Sequence, residues 1–295
     1  MELITILLSS ITALFSLTGV VVDKNVEAAV LSQIDRAEQL QVRVDNAPVH
    51  QIINGKINKL RIAGQGLWVT KDLRIDALQV ETDPLAVNLK AVQEDGQNPR
   101  TSSLQRPIQA GIKLKFNEAD LNNFLKSPDS IARLQKMTTG TLGSAGNSLN
   151  KDYQITNPEI KFIGNGRLAI RAELKDPTSA EKLAVKLETG VNVIGGKKFE
   201  LVAPAATVGD TPVPPFILSG LTTGISERLN VDILEQRGVT ARILQFKVDP
   251  QSLELAVFIR SVGTKLVLNW PQLRFSITLC KWISIISQSR IYQLN

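Results

Sequence analysis

Cysteine and histidine each occur once in the 295 residues, as Cys280 and His50. A single thiol allows no intrachain disulfide, and one Cys with one His excludes the metal clusters those residues build. Any Ser–His or Cys–His scheme would have to use His50. Nothing near it supports that role, so it reads as an ordinary loop or helix residue. Aromatic residues make up only 5% of the chain, too few for the stacking platforms that hold single-stranded nucleic acid. Long basic runs are missing too: none exceeds the pair Lys197–Lys198, so the net charge of +6 is dispersed. Such a charge fits nucleic acid, anionic lipid headgroups or a solvated surface with a mild basic bias, and its dispersal favours the last.

What the chain has is aliphatic bulk. Apolar residues make up 43%, mainly Leu, Ile, Val and Ala, enough to bury a sizeable core. Residues 3–22 contain no charged side chain. Twenty residues at about 1.5 Å each span roughly 30 Å, the thickness of a hydrocarbon core. The Ser and Thr hydroxyls in this stretch can bond back to helix carbonyls. Glu2 stands where a secretory signal carries Lys or Arg, and no clean Ala-x-Ala site follows. An uncleaved anchor, an atypical signal peptide and a buried core helix therefore all remain open. The first two place the protein at a membrane, and orientation is not set by the flanking charges. The chain divides into 1–22 as anchor or signal, 23–263 as the main domain, and 264–295 as a hydrophobic extension. Leu273, Phe275, Ile277 and Leu279 alternate with polar residues in that tail, beside Trp270 and Trp282. An edge strand, an interfacial membrane segment and a disordered extension all fit it.

Along the main domain the hydrophobic period changes repeatedly. Asp23 is placed to cap a helix to about Ala37, with Val26, Val30 and Ile34 four apart. Leu40, Val42 and Val44 then alternate with Gln41, Arg43 and Asp45 as a half-buried strand. Pro48 opens a turn or short helical piece. Alternation returns over 56–63, 73–80 and 107–116, the last two separated by a polar loop over 94–106. Asn117 reads as a helix cap with Asp120 three residues on, followed by Leu121, Phe124, Leu125, Ile131 and Leu134, a run broken by Pro128. A Gly/Ser/Asn linker covers 140–150.

The second half repeats the plan with longer strands. Asn165-Gly166 between alternating runs predicts a hairpin, and Gly195-Gly196 a second one. Pro214 and Pro215 open a helix to about Asn230 with Phe216, Ile217, Gly220, Leu221, Gly224, Ile225 and Leu229 on one face. Strands over 239–247 and 253–262 close the domain. The order predicts an α+β fold: long curved antiparallel sheet covered by amphipathic helices, behind an N-terminal hydrophobic helix. The recurring strand–helix plan hints at two halves. Two catalytic-looking spacings carry no context. Ser148 to Lys151 fits S-x-x-K inside the linker, and 190–195 has P-loop spacing but Gly196 and Lys197 where Lys and Ser/Thr are needed.

The segments QLQVRVDNAP, INKLRIAGQGL, LRIDALQVETDP, PIQAGIKLKFNEADLN, NPEIKFIGNGRLAIRAEL, ETGVNVIGGKKFELVAP, VPPFILSGLTTGISERLNV and GVTARILQFKVDPQSLELAVFIR follow one another in order. Together they resemble the LmeA-like phospholipid-binding family over about 26–262. The tail lies beyond that family's usual end. The resemblance implies an envelope protein, on the periplasmic side, with an anchor or signal. It also implies a fold similar to the tubular lipid-binding proteins, in which sheet wraps around helix and leaves an apolar groove. It carries no catalytic residues, cofactor or metal, and points to a non-enzymatic protein whose partners are an acyl lipid and a membrane, with no nucleic acid.

On this reading Phe216, Ile217, Leu221, Ile225 and Leu229, with Leu121, Phe124 and Leu125, contact an acyl chain; the alternative is that they only fill core. Lys197 and Lys198, at a hairpin tip, are the candidate headgroup contacts, against plain surface solvation. The competing function is a scaffolding envelope domain with a fully packed core, and an envelope hydrolase is a distant third.

Overall fold

The computed structural model describes residues 27–28, 30–32, 34–45, 55–86, 105–142, 154–176 and 182–261, with 136–142, 216, 217, 220, 221, 224, 225, 228, 236 and 237 described through their backbone alone. The expected hydrophobic segment 3–22, Asp23, His50, most of the polar loop and linker, and the tail 264–295 lie outside the described residues. In chain order the elements are β1 Arg36–Asp45, β2 Lys56–Ile57, β3 Lys59–Trp68, β4 Arg74–Thr82, β5 Leu85–Ala86, β6 Gln109–Asn117, α1 Glu118–Leu125, α2 Pro128–Leu142, β7 Gln154–Gly164, β8 Arg167–Lys175, β9 Lys182–Ile194, β10 Lys198–Val208, β11 Thr211–Pro212, α3 Pro215–Arg228, a 3-10 turn Val231–Arg237, β12 Val239–Val248 and β13 Ser252–Ser261. Antiparallel sheet with a few helices is thus the architecture. Instead of one long sheet there are two open ones, ordered β1-β3-β4-β6-β13-β12 and β11-β10-β9-β8-β7, with a ribbon of β2 and β5. The chain forms two compact units. One holds the described residues to Phe116 with Val231–Gln245 and the stretch from Glu254; the other holds Asn117–Asn230 and the hairpin tip Phe246–Leu253.

In the first unit, cross-strand rows follow the pleat. Val42, Ile62, Val80 and Ile112 stand in register, as do Leu40, Gly64, Leu78 and Leu114. These rows are buried except at edge strand β1, where Leu40 and Val42 are half-buried. The helix expected to reach Ala37 gives way earlier, because Arg36 already pairs with Trp68. The buried set on β3 moves from even to odd numbers at Gly66, whose φ of 56° only glycine adopts without strain. Leu67 therefore stays inside while Trp68 turns outward. Trp68 is flanked in register by Arg36 and Arg74, whose guanidinium carbons lie 3.8 and 5.0 Å from its ring centroid.

The opposite face is a charge ladder. Arg61 bridges Asp45 at 2.7 Å and Glu81 at 3.1 Å, and Lys59 reaches Glu81 at 2.6 Å. Hydrogen bonds from Lys59 and then Arg61 hold the Glu81 carboxyl below its ordinary 4.5.

The second unit is the five-stranded sheet with α1, α2 and α3. The turn Asn165-Gly166 has φ of 51° and 72°, and Gly195-Gly196 has 58° and 66°. Two consecutive positive φ values are the type I′ geometry that suits twisted hairpins. Strand β7 is bulged between Thr156 and Glu159, and β10 between Val202 and Ala205. Pro158 and Pro204 sit in these bulges, where no ladder N–H is required, and the bulges bend their strands.

β7 is a sheet edge, and helix side chains take the place of the missing strand. The Asn122 side chain donates from Nδ2 to Ile160 O at 2.8 Å and accepts from Ile160 N at 2.8 Å. Phe162 N donates to Glu118 at 2.6 Å, and Ile155 N donates to Gln135 at 2.9 Å. The sequence predicts a capping box at Asn117, but its side chain makes no cap bond. The neighbouring polar side chains are used instead on the strand edge, where an unpaired buried N–H would cost more than an exposed helix end. Pro128, expected only to break the helical run, opens α2 as its first residue, where its missing N–H costs nothing.

Asn122→Ala is expected to lower unfolding stability by about 1–3 kcal/mol, since it strips both partners from a part-buried backbone pair. Asn123→Ala, at an exposed position of the same helix, should leave it unchanged. Urea denaturation of both variants checks this, and equal midpoints would refute the edge-sealing role. Glu81→Gln should lower the urea midpoint near neutral pH but not in strong acid. A carboxyl whose pKa is depressed on folding stabilises above its unfolded value of 4.5 and loses that contribution as pH falls through the folded value. A difference between variant and parent that persists in acid would rule the ion pairs out as its source.

Candidate functional site

Four strands, β7 to β10, bring their alternate positions to one surface of the second unit. Its rows are Ile160–Ile170–Leu187–Ala206, Phe162–Leu168–Thr189, Ala172–Val185–Val208, Leu174–Leu183, Val191–Leu201 and Val193–Phe199. Thr189 carries the sole hydroxyl among these residues. It is spent on backbone: Oγ1 donates to Gly190 O at 2.7 Å and lies 3.2 Å from Val202 O at the bulge. Across these four strands the surface is therefore aliphatic with two phenyl rings and no uncommitted polar group, and the exposed Thr211 of β11, opposite Val208, stands at its margin.

Burial across it is graded. Ile160, Phe162, Leu168, Ile170, Val185 and Leu187 are buried. Ala172, Leu183, Ala206 and Val208 toward one end, and Val191 and Val193 toward the other, are only half-buried. The apolar face thus extends past its cover at both ends. The cover comes from α1 and α2 beside β7, from α3 beside β10, and from the β12–β13 tip, whose Phe246 meets Phe199 edge-on at 5.1 Å. Lys198 pairs through backbone with Asn230, just after α3, which ties the end of that helix to the start of β10.

The expected lipid-contact residues fall into two groups. Leu121, Phe124, Leu125 and Leu229 are buried, at 0%, 6%, 1% and 0% exposure. Phe216, Ile217, Leu221 and Ile225 lie on α3, as expected, and their side chains are outside those described. Leu218 and Ser226 of α3 are buried as well, positions the periodicity did not mark. Lys197 lies in the β9–β10 turn, and Lys198 stands opposite Ile194 on the other surface of the sheet; both are half-buried. Sequence reasoning placed the contacts on helices and passed over the sheet residues Leu183, Val191 and Val193. The signal was present, since 183, 185, 187, 191 and 193 of β9 are all aliphatic at period two.

The opposite surface of this sheet is charged. Glu173 receives Lys182 at 3.0 Å and Asn157 at 3.0 Å. The Lys182 hydrogen bond, against a smaller desolvation effect and with help from Asn157, holds its carboxyl below the ordinary 4.5. The P-loop-like spacing from Gly190 resolves into a hairpin: Gly190 is inside β9 and Gly195-Gly196 form its turn, with strand rather than helix following. Among the described residues no group of His, Cys, Asp and Glu is placed to hold a metal ion. No helix among them is long and apolar enough to cross a membrane.

A family described as LmeA-like phospholipid-binding matches residues 16–258. No curated protein and no solved structure matches the chain significantly.

Proposed function

The chain belongs to the LmeA-like phospholipid-binding family, and from that premise we propose that it is a membrane-associated, non-enzymatic protein that lays acyl chains along the aliphatic face of the second unit's sheet. The observation that carries this reading is the excess of that face over its cover. Ala172, Leu183, Ala206, Val208, Val191 and Val193 point to the same side as the buried core yet remain half-exposed. A fatty tail laid over such margins removes their apolar surface and its own from water, at about 0.8 kcal/mol per methylene. Thr189 being committed, the rows of β7 to β10 offer nothing polar to reject a hydrocarbon.

In this reading the sheet bends around its helices as in tubular lipid-binding proteins, and α3 lies along the chain. Phe216, Ile217, Leu221 and Ile225 contribute the helix side of the site, and Lys197 and Lys198 stand near the headgroup. The module covers 23–263; segment 1–22 tethers it or directs it to the envelope, where it binds and transfers phospholipid. A second reading has its own support: Leu121, Phe124, Leu125 and Leu229 are buried by the protein's own residues. They would then belong to a closed core in a scaffolding domain.

Organic-solvent extraction of the purified protein, followed by mass spectrometry, separates the two. Co-purified phospholipid is expected, and Ala172→Trp and Ala206→Trp, which fill the half-open margin with an indole, should reduce it several-fold while circular dichroism stays unchanged. Lipid-free protein that also ignores anionic vesicles would leave the scaffolding reading standing.

A further inference from the structure

Six large aliphatic side chains are exposed among the described residues, and three of them, Ile163, Ile194 and Val202, share one surface at one end of the second unit's sheet. The register places them. Ile163 is next to Gly164, which pairs with Arg167; Arg167 pairs with Gly190, and Gly190 with Val202. One transverse row therefore reads Gly164, Arg167, Gly190, Val202, with Ile163 one residue before it on β7. Gly190 adds no side chain to it: a Cβ there would stand 3.4 Å from the Val202 Cβ. Ile194 lies four residues further along β9, directly opposite Lys198. All three face away from the aliphatic core surface, so neither core nor cargo accounts for them.

Three turns converge at this end. Gly166 N donates to Val248 O at 3.2 Å, and Gly166 O accepts from Val191 N at 3.0 Å. A Cβ on Gly164 would meet the Pro250 ring at 3.0 Å. The β7–β8 turn is thus clamped between β9 and the β12–β13 tip, and the β9–β10 hairpin projects beyond it. Over these segments the basic side chains Lys161, Arg167, Lys197, Lys198 and Lys247 outnumber the acidic Glu200 and Asp249. Arg167 is shared with Glu188 at 3.3 Å and Lys247 with Asp249 at 2.7 Å. Lys161 and Lys198 have no carboxylate partner among the described residues.

We propose that this end of the second unit, centred on Ile194 and Lys198 with Ile163 and Val202 behind them, is a docking surface for an anionic lipid bilayer. Exposed aliphatics on a braced hairpin enter the headgroup boundary, and the flanking lysines meet the negative surface charge. The docked orientation brings the half-buried Val191 and Val193 margin of the aliphatic face to the membrane, so cargo has a route that avoids water. The docking itself stands without the acyl-binding reading.

The test is residue-specific, so that tethering by segment 1–22 does not mask it. Full-length protein carries Cys280→Ser with either Ile194→Cys or Asp210→Cys, labelled with an environment-sensitive nitrobenzoxadiazole dye. Asp210 is exposed like Ile194 and lies in the β10–β11 turn, at the opposite end of the same sheet. Vesicles of phosphatidylglycerol and phosphatidylcholine should raise emission at 194 several-fold with a blue shift, leave 210 unchanged, and lose the effect with Lys197→Glu/Lys198→Glu or in high salt. No response at 194, an equal response at 210, or a response that grows with protein concentration without vesicles, marking a second copy as occupant, would overturn the proposal. Phospholipid extracted from the same samples reports separately on cargo binding.

Discussion

An aliphatic sheet face has to be roofed, and in the second unit the roof is fastened to the sheet's own edge. Helix α1 carries Leu121, Phe124 and Leu125 on its buried side and, one turn apart, Glu118 and Asn122 toward β7. Backbone groups on a covered strand edge must find partners, so these two side chains do more than hold the helix near the sheet: they fix its register along the strand. Gln135 of α2 repeats the device at Ile155. Sealing the edge also removes a template for pairing with another chain.

Both outer faces follow the opposite rule. In the first unit Lys59, Arg61, Glu81 and Asp45 form a cross-strand ladder, and in the second Lys182, Glu173, Arg167 and Glu188 do the same. Exposed ion pairs add little stability each. Their effect is to keep long strands soluble and in register, because a slip by one residue would bring the charges inward. Against that background the exposed aliphatic side chains of Ile163, Ile194 and Val202 stand apart, as does the aliphatic excess on the inner face.

Much of this was legible in the sequence where the signal is local. Asn165-Gly166 gave the hairpin because few residues other than Asn and Gly accept two positive φ values, and α3 and β12–β13 emerged within a residue or two of their predicted limits. The bulges at Pro158 and Pro204 and the switch of inward positions at Gly66 broke the alternation and were not anticipated. The role of Asn122 has no sequence signal, since nothing in sequence announces which strand edge lies opposite it. The division into two sheets depends on β13 joining β6, a pairing sealed by Ser261 N to Ile108 O at 2.8 Å across some 150 residues. Long-range pairing of that kind has no local signature. The acyl-contact residues were sought on helices, where stripes are conspicuous, although the strand alternation that marks the sheet surface was equally readable.

The position of Trp68 has an optical consequence. It is the one indole among the described residues, and it sits in the first unit between the guanidinium groups of Arg36 and Arg74. Intrinsic fluorescence from that indole follows the melting of one sheet and is blind to the five-stranded one, which holds phenyl rings but no tryptophan. With Trp270 and Trp282 replaced by phenylalanine, so that Trp68 alone reports, a scan read by fluorescence and by peptide-bond dichroism will therefore trace coincident curves only when both sheets come apart in a single cooperative event.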